Sequence, residues 1–444
     1  MGGGLLQLVA YGAQDVYLTG NPQITFFKVV YRRHTNFAIE AIQQTFNGTA
    51  AFGNTVYVTV SRNGDLINRV YLQLNIPALT RYAFNDATRD RYVNYFGLKV
   101  LNNVSVEIGG QQIDKHYADW LYIWNELSLP MGKKYGWERM VGADGDITSS
   151  PNKSTSVTAN ANQDKTTLYV PLEFWFCRNV GLALPLIALQ YHEVKLKIQF
   201  EEMDKCIAAL DGTTAIHADT KAQFAGNSLD ATVWVDYIFL DTDERRRFAQ
   251  LSHEYLIEQL QFTGTETLSK SGGNRYRLNF NHPCKELVWV AKKTAVASGQ
   301  TGTVKNNDWY NYTASVQYDD LITTPTYSSS NMIDGIYPSG ANPLNKCLLQ
   351  LNGNDRFAER PGSYFNYVQP YQHHTNIPTN RGINVYSFAL KPEEHQPSGT
   401  LNMSRIDTAV LSVDSAVDGT INIYAVNYNV LRIMSGMGGL AYSN

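Results

Sequence analysis

Histidines beside carboxylates are the side chains of this sequence most suited to chemistry. The His-Glu pairs at 192–193 and 253–254 each begin the HExxH pattern, in which two histidines one helical turn apart hold zinc and the glutamate acts as a base. The position four residues after the histidine is Leu196 in one case and Ile257 in the other. Neither pair can complete the zinc site, so the sequence predicts no metalloprotease.

Three further groups fall short of a chemical site. His373 and His374 are adjacent but have no acidic or cysteine partner at ligand spacing, which favours solvated loop histidines. Asp144 and Asp146 lack the glutamate that closes a calcium-binding loop, so a turn is expected there. The glycines of Gly436–Gly439 follow a strand but open no helix, and therefore form no phosphate cradle. We predict no catalytic residue, no metal and no cofactor.

Asparagine sequons and basic clusters are candidates for modification and contact. Sequons of the type Asn-x-Ser/Thr occur at Asn47, Asn103, Asn152, Asn311 and Asn402. Asn152 and Asn311 fall in long polar stretches and are the better candidates for glycosylation. Compact basic clusters stand at 32–33, 245–247 and 292–293, and each could meet a membrane, an acidic protein, another subunit or only solvent. Arg32 and Arg33 are the candidates for an inner-surface contact, because they adjoin the predicted N-terminal arm.

The composition narrows the function further. The 444 residues are 43% apolar and only 17% charged, with 28 tyrosines, which suits extensive contact with other protein. A formal net charge of -3 argues against direct coating of nucleic acid, which needs a basic surface. The four cysteines lie far apart and are expected to be free, buried thiols. Without a signal peptide or a long apolar stretch, we expect a soluble protein made in the cytosol.

The elements that must position these residues are mainly strands. Apolar and polar residues alternate along Val194–Phe200, Val104–Ile108 and Tyr276–Phe280, which is typical of strands with one buried face. Helical spacing is scarce, and the best case is a short helix over Trp120–Leu127. The sequence therefore predicts an all-β protein with short helices.

The two halves of the chain resemble each other. The segment LNNVSVEIGGQ from Leu101 aligns without a gap with LNKCLLQLNGN from Leu344, and each is a strand that runs into a glycine turn. Upstream, Ile39-Glu40 matches Ile257-Glu258 at the entry to a β-rich region. A duplicated β domain is indicated, but composition leaves sandwiches, up-and-down barrels and jelly rolls open.

Polar insertions and a charged junction interrupt the strands. Gly142–Lys165, Ala208–Ser228 and Thr294–Asn342 are rich in turn-forming residues and are expected to be surface loops, so that deleting the middle of the third should leave the fold intact. A charged run from Asp243 to Arg247 marks a connection between domains. We predict an arm at 1–25, β domains at 26–241 and 254–434, a linker at 242–253 and a tail at 435–444.

The order of several long motifs resembles one viral family. Leu8–Phe37 reads LVAYGAQDVYLTGNPQITFFKVVYRRHTNF, which is similar to the N-terminal stretch of major capsid proteins of nucleocytoplasmic large DNA viruses, especially those of algae. Further segments follow in the same order, namely SRNGDLI from Ser61, EIGGQQIDKHYADW from Glu107, GLALPLIALQYHEVKL from Gly181, VDYIFLDTDERRRFAQLSHEYLIEQLQFTG from Val235 and NYNVLRIMSGMGGLAYSN from Asn427. The resemblance spans the chain and is weakest in the long loops.

This resemblance implies two tandem eight-stranded jelly rolls and a non-enzymatic structural role. It implies a homotrimer with a six-sided outline that tiles an icosahedral shell, with neighbouring capsomers, minor capsid proteins and a penton protein as partners and an inner membrane nearby. The expected location is the virion, after assembly in the host cytoplasm. The alternative is a carbohydrate-binding surface or fibre-like virion protein, because jelly rolls also serve as lectins and exposed aromatic side chains stack on sugars.

Overall fold

A computed structural model of the protein describes residues 3–10, 12–77, 90–143, 165–209, 216, 218–224, 227–298, 307–314, 338 and 340–442. The chain divides into two compact units, Met1–Phe37 and Ala38–Asn444. The first unit contains helices α1 (Gly3–Val9) and α2 (Val16–Thr19). Its apolar side chains, such as Phe26 and Phe27, are exposed to solvent.

The second unit contains two sets of strands, before and after helix α9 (Thr242–Gln250), which we call the first and second half. The strands of the first half are β1 Phe37–Gln44, β2 Phe46–Asn47, β3 Thr55–Thr59, β4 Leu66–Ile76, β5 Asp90–Tyr92, β6 Leu101–Ile108, β7 Gln111–Tyr117, β8 Thr166–Pro171, β9 Leu184–Pro185, β10 Val194–Phe200, β11 Ile207–Ala209 and β12 Asp230–Leu240. They form one sheet in the order β1-β12-β4-β8, with β9 beside β4, and a second in the order β2-β3-β10-β6-β7. Strands β5 and β11 pair separately.

The second half repeats this arrangement. Its strands are β13 His253–Leu268, β14 Asn274–Arg277, β15 Pro283–Lys293, β16 Leu344–Leu351, β17 Asn354–Asp355, β18 Arg360–Pro361, β19 Ile383–Ser387, β20 Leu401–Asn402, β21 Ala409–Ser415, β22 Gly419–Met434 and β23 Met437–Leu440. One sheet has the order β13-β22-β15-β19, with β20 beside β15 and β23 beside β22, and the other has the order β14-β21-β16-β17, with β18 beside β16. Within the described residues, each sheet draws its strands from one half.

The matching strand orders make the main strands of the two halves equivalent. Strands β6 and β16 carry the sequence repeat, and both run into a turn with positive φ at two residues, Gly109-Gly110 in one and Asn352-Gly353 in the other. Two sheets whose four main strands are connected in this order form a jelly roll. The predicted all-β class with two tandem jelly rolls is therefore confirmed.

Short helices connect the strands. The remaining ones are α3 Phe96–Lys99, α4 Ala118–Ser128, α5 Met131–Val141, α6 Trp175–Arg178, α7 Met203–Cys206, α8 Ala218–Gln223, α10 Thr294–Ala297 and α11 Gln369–His373, with 3-10 turns at Val180–Leu182 and Met403–Arg405 and a π turn at Tyr364–Val368. Helix α4 confirms the predicted short helix. The apolar residues of Trp120–Leu127 are buried because α4 packs against α3, β6 and β7 of the first half and, through Trp120, against Tyr424 of the second half.

Candidate assembly surfaces

Aromatic side chains of helix α4 form the centre of the contact between the halves. The ring centroids of Trp120 and Tyr424 are 5.5 Å apart, and those of Tyr122 and Tyr310 are 5.3 Å apart. Tyr424 and its neighbour Val288 project from the second half, yet they belong to the same buried cluster as the core of the first half. The halves are thus joined by a continuous apolar layer, the arrangement expected of a permanent contact.

Part of the predicted third loop belongs to this layer. Trp309, Tyr310 and Tyr312 are each at most 5% exposed. The indole Nε1 of Trp309 donates to the carbonyl of Asn94 at 3.0 Å, and the Nδ2 of Asn94 donates to the hydroxyl of Tyr310 at 2.7 Å. The expectation that Thr294–Asn342 is a surface loop is wrong for these residues, because three closely spaced aromatic rings need burial. Residues 315–337 of that stretch lie outside the described residues.

Two ion-pair groups cross the contact between the halves. The carboxylate of Asp119 on α4 lies 2.7 Å from the Nζ of Lys292 and accepts a hydrogen bond of 2.7 Å from the hydroxyl of Tyr312. Burial lowers the pKa of Lys292, and Asp119 only partly offsets this effect. Glu258 on β13 lies 2.8 Å from Arg178 of the first half and 2.7 Å from Lys285. These groups hold the two halves in one relative position.

The C-terminal hairpin also crosses to the first half. Strand β23, which lies in the predicted tail, pairs with β22, and the ring of His192 contacts the backbone of Gly438 at 2.9 Å. A side chain at Gly438 would place its Cβ 2.6 Å from Leu189. The glycines of this segment therefore permit close approach of the two halves.

His374 sits in a buried charged group of the second half. Its Nε2 lies 2.8 Å from Glu286 and its Nδ1 lies 2.8 Å from Glu393, and its side chain has no exposed surface. The interpretation of His374 as a solvated loop histidine is wrong, because the fold supplies acidic partners that are distant in sequence. No group of three or more residues suited to hold a metal ion occurs in the described part of the chain.

The buried charged group around His374 should make the stability of the fold depend on pH. Burial lowers the pKa of His374, but Glu286 and then Glu393 outweigh it and raise this pKa from 6.5 to about 9. The protonated ring therefore stabilises the fold fully below pH 6.5, and this contribution, on the order of 3 kcal/mol, is lost as the pH rises through 9. Urea unfolding at about pH 6 and about pH 10 should show the loss. In His374→Gln, the free energy of unfolding should differ less between the two pH values than it does in the wild type. An unchanged difference in unfolding free energy would contradict the assignment.

The sequence-predicted site residues are not brought together. Arg32 and Arg33 are exposed in the first unit. Asn152 lies outside the described residues. Asn311 is fully buried, and its Oδ1 accepts hydrogen bonds from the backbone N–H and the hydroxyl of Thr313. The folded chain thus gives a glycosylating enzyme no access to Asn311, contrary to its expected place in an exposed loop. The residues that join the halves, Asp119 and Glu258, were missed, because their partners in the other half lie 80 or more residues away along the chain.

No helix in the described ranges is long and apolar enough to span a bilayer.

Comparisons with known proteins cover both halves. A family model described as the major capsid protein N-terminus matches residues 25–241, and one described as the large eukaryotic DNA virus major capsid protein matches residues 244–439. The major capsid protein of Pyramimonas orientalis virus is 49% identical, and that of Phaeocystis pouchetii virus is 48% identical, each over 100% of both chains. A quasi-atomic model of the PBCV-1 virus capsid matches with a TM-score of 0.72 and 40% identity, over 95% of this chain and 100% of that chain.

Proposed function

The chain belongs to the major capsid protein family of large eukaryotic DNA viruses and is a subunit of the virus capsid, and on that premise we propose that its assembly unit is a homotrimer formed before the shell. The observation that carries this proposal is the duplication. Two equivalent jelly rolls in each chain and three chains give six similar wedges, which tile a hexagonal lattice. In a closed cyclic assembly, every copy of the contact surface is covered by a neighbouring chain.

The role we propose for the chain is structural and not enzymatic. The relatives are capsid proteins, and the buried polar groups described above pair with one another across the fold. Assembly in the host cytoplasm, contact with minor capsid and penton proteins, and a nearby inner membrane follow from the same family membership. Arg32 and Arg33 stay a prediction for an inner-surface contact, supported by their exposure and by the absence of a carboxylate between Asp15 and Glu40.

Light scattering of the purified protein tests the trimer. We expect three times the chain mass of 49.8 kDa, 3 × 49.8 = 149.4 kDa, at both low and high ionic strength. A permanent interface should bury more than roughly 2,000 Å² with an apolar centre. Salt weakens exposed charge pairs far more than it weakens apolar contacts, so added salt should change the measured trimer mass little. A monomer at micromolar concentration, or a trimer that dissociates in salt, would refute the proposal.

A further inference from the structure

We propose that a cavity between the two halves, next to helix α10, binds one inorganic phosphate ion that bridges them. This site goes beyond the proposed homotrimer and is independent of it, because every residue that forms the site belongs to one chain. Three features of the cavity carry the inference, namely walls drawn from both halves, an excess of lysines and an unpaired buried amide oxygen.

The cavity has a volume of about 300 Å³, at the lower end of the range for small-ligand sites. Lys99, Asp119 and Lys205, on α3, α4 and α7, line it from the first half. Lys292 and Asn422, on β15 and β22, line it from the second half. A small ligand held here therefore contacts both halves and stabilises their contact.

Lysines outnumber the enclosed carboxylates around the cavity. The Nζ atoms of Lys99 and Lys205 lie 3.3 Å and 3.1 Å from Glu201, so two cations share one carboxylate. The third cation, Lys292, pairs with the carboxylate of helix α4 described above. Glu202 lies 3.9 Å from Lys205, but it is exposed and solvent screens its charge. Three cations and two enclosed carboxylates leave one net positive charge, which a bound anion balances.

Aromatic rings and burial fix two of these ammonium groups. The Nζ of Lys99 is 5.6 Å from the ring centroid of Trp309, and the Nζ of Lys292 is 5.5 Å from that of Tyr312. Burial, and to a smaller extent the charge of Lys99, lower the pKa of Lys292, although Asp119 opposes them. An anion beside these two lysines offsets both the burial of charge and the repulsion between the ammonium groups.

An unpaired amide oxygen selects the kind of anion. Asn422 is only 7% exposed, and its Nδ2 donates to the hydroxyl of Tyr424 at 3.3 Å. Its Oδ1 accepts no hydrogen bond from any described residue. A buried acceptor without a donor is costly, so the ligand should supply a donor as well as negative charge. Hydrogen phosphate has negative oxygens for the lysines and a hydroxyl for Asn422, whereas sulfate has no hydroxyl at neutral pH.

Titration calorimetry of the full chain with inorganic phosphate tests the site, with sodium chloride keeping the ionic strength constant. We expect one phosphate per chain and an affinity for sulfate that is weaker by roughly fivefold or more. Lys205→Met should weaken phosphate binding by roughly fivefold or more, because it removes one cation. Lys346→Met is the matched control and should bind like the wild type. Lys346 is 3.1 Å from Glu359 and its side chain is 56% exposed, against 3.1 Å from Glu201 and 53% for Lys205.

A nearly isosteric substitution gives a second measurement. Asn422→Asp supplies a negative charge from the protein itself, so we expect it to abolish phosphate binding. Its melting temperature in phosphate-free buffer, followed by circular dichroism, should equal or exceed that of the wild type. In a cavity without excess positive charge, the same buried carboxylate would be unpaired and would lower the melting temperature.

The wild type should melt at a higher temperature as the phosphate concentration rises, because a ligand that binds the folded state stabilises it. A wild type without saturable binding, or with equal affinity for phosphate and sulfate, would overturn the proposal. Unchanged affinity in Lys205→Met would do the same. If phosphate raises the melting temperature of the wild type, Lys205→Met and Lys346→Met alike, it acts as a general stabilising salt, and the site does not exist.

Discussion

Replacing Tyr312 by alanine is expected to lower the free energy of unfolding by about 3–5 kcal/mol, the cost of removing a large buried aromatic side chain. Tyr312 has no exposed surface, and its hydroxyl donates to Asp119 at 2.7 Å. The substitution leaves a cavity between the two halves and removes one partner of that carboxylate. Urea unfolding of the purified variant measures the loss.

Two control variants separate packing from hydrogen bonding. Tyr312→Phe keeps the ring and removes only the hydroxyl, so we expect a smaller loss of about 1–3 kcal/mol. Tyr57→Ala removes an exposed ring and should change stability by less than about 0.5 kcal/mol. If Tyr312→Ala behaves like Tyr57→Ala, the segment around Tyr312 is a surface loop after all.

The strands and their duplication could be predicted because their signals are local. Alternation over Val194–Phe200 predicts β10 with the same bounds, since a strand with one buried face needs only a period of two. The matched segments from Leu101 and Leu344 begin β6 and β16. The order of strands within each sheet was not readable from these patterns, because composition leaves several β architectures open. The family resemblance supplied it.

The contact between the halves could not be predicted, because its members are distant in sequence. Trp309 and Tyr310 stand in a stretch rich in turn-forming residues, and only their close spacing signals burial. His374 finds its two carboxylates on β15 and in the loop near Glu393, which no spacing rule anticipates. Asn311 satisfies the sequon pattern, but the pattern carries no information on exposure. A local motif thus predicts which side-chain chemistry is present, while the fold determines whether that side chain is exposed.

Replacing Glu258 is expected to cause the second large loss of unfolding free energy. Burial alone would raise the pKa of Glu258, but Arg178, His395 and Lys285 outweigh it and lower this pKa to about 2. The Nζ of Lys285 and the ring of Tyr428 are 4.9 Å apart, so the cation is enclosed. Glu258→Ala leaves Lys285 and Arg178 without their shared carboxylate, and we expect a loss of about 3–5 kcal/mol at neutral pH.

A double variant distinguishes the effect of an unpaired charge from the effect of lost packing. In Glu258→Leu/Lys285→Met the carboxylate and its fully buried cation are both replaced by apolar side chains, and much of the stability lost in Glu258→Ala should return, because the cation that remains, Arg178, is 20% exposed and keeps contact with water. The pH dependence follows from the lowered pKa of Glu258. Its contribution is present above pH 4.5 and is lost as the pH falls through about 2, so Glu258→Ala should unfold with a weaker dependence on acid than the wild type. Equal losses in Glu258→Ala and the double variant, measured by urea unfolding, would show that shape at this position matters more than the pairing of charge.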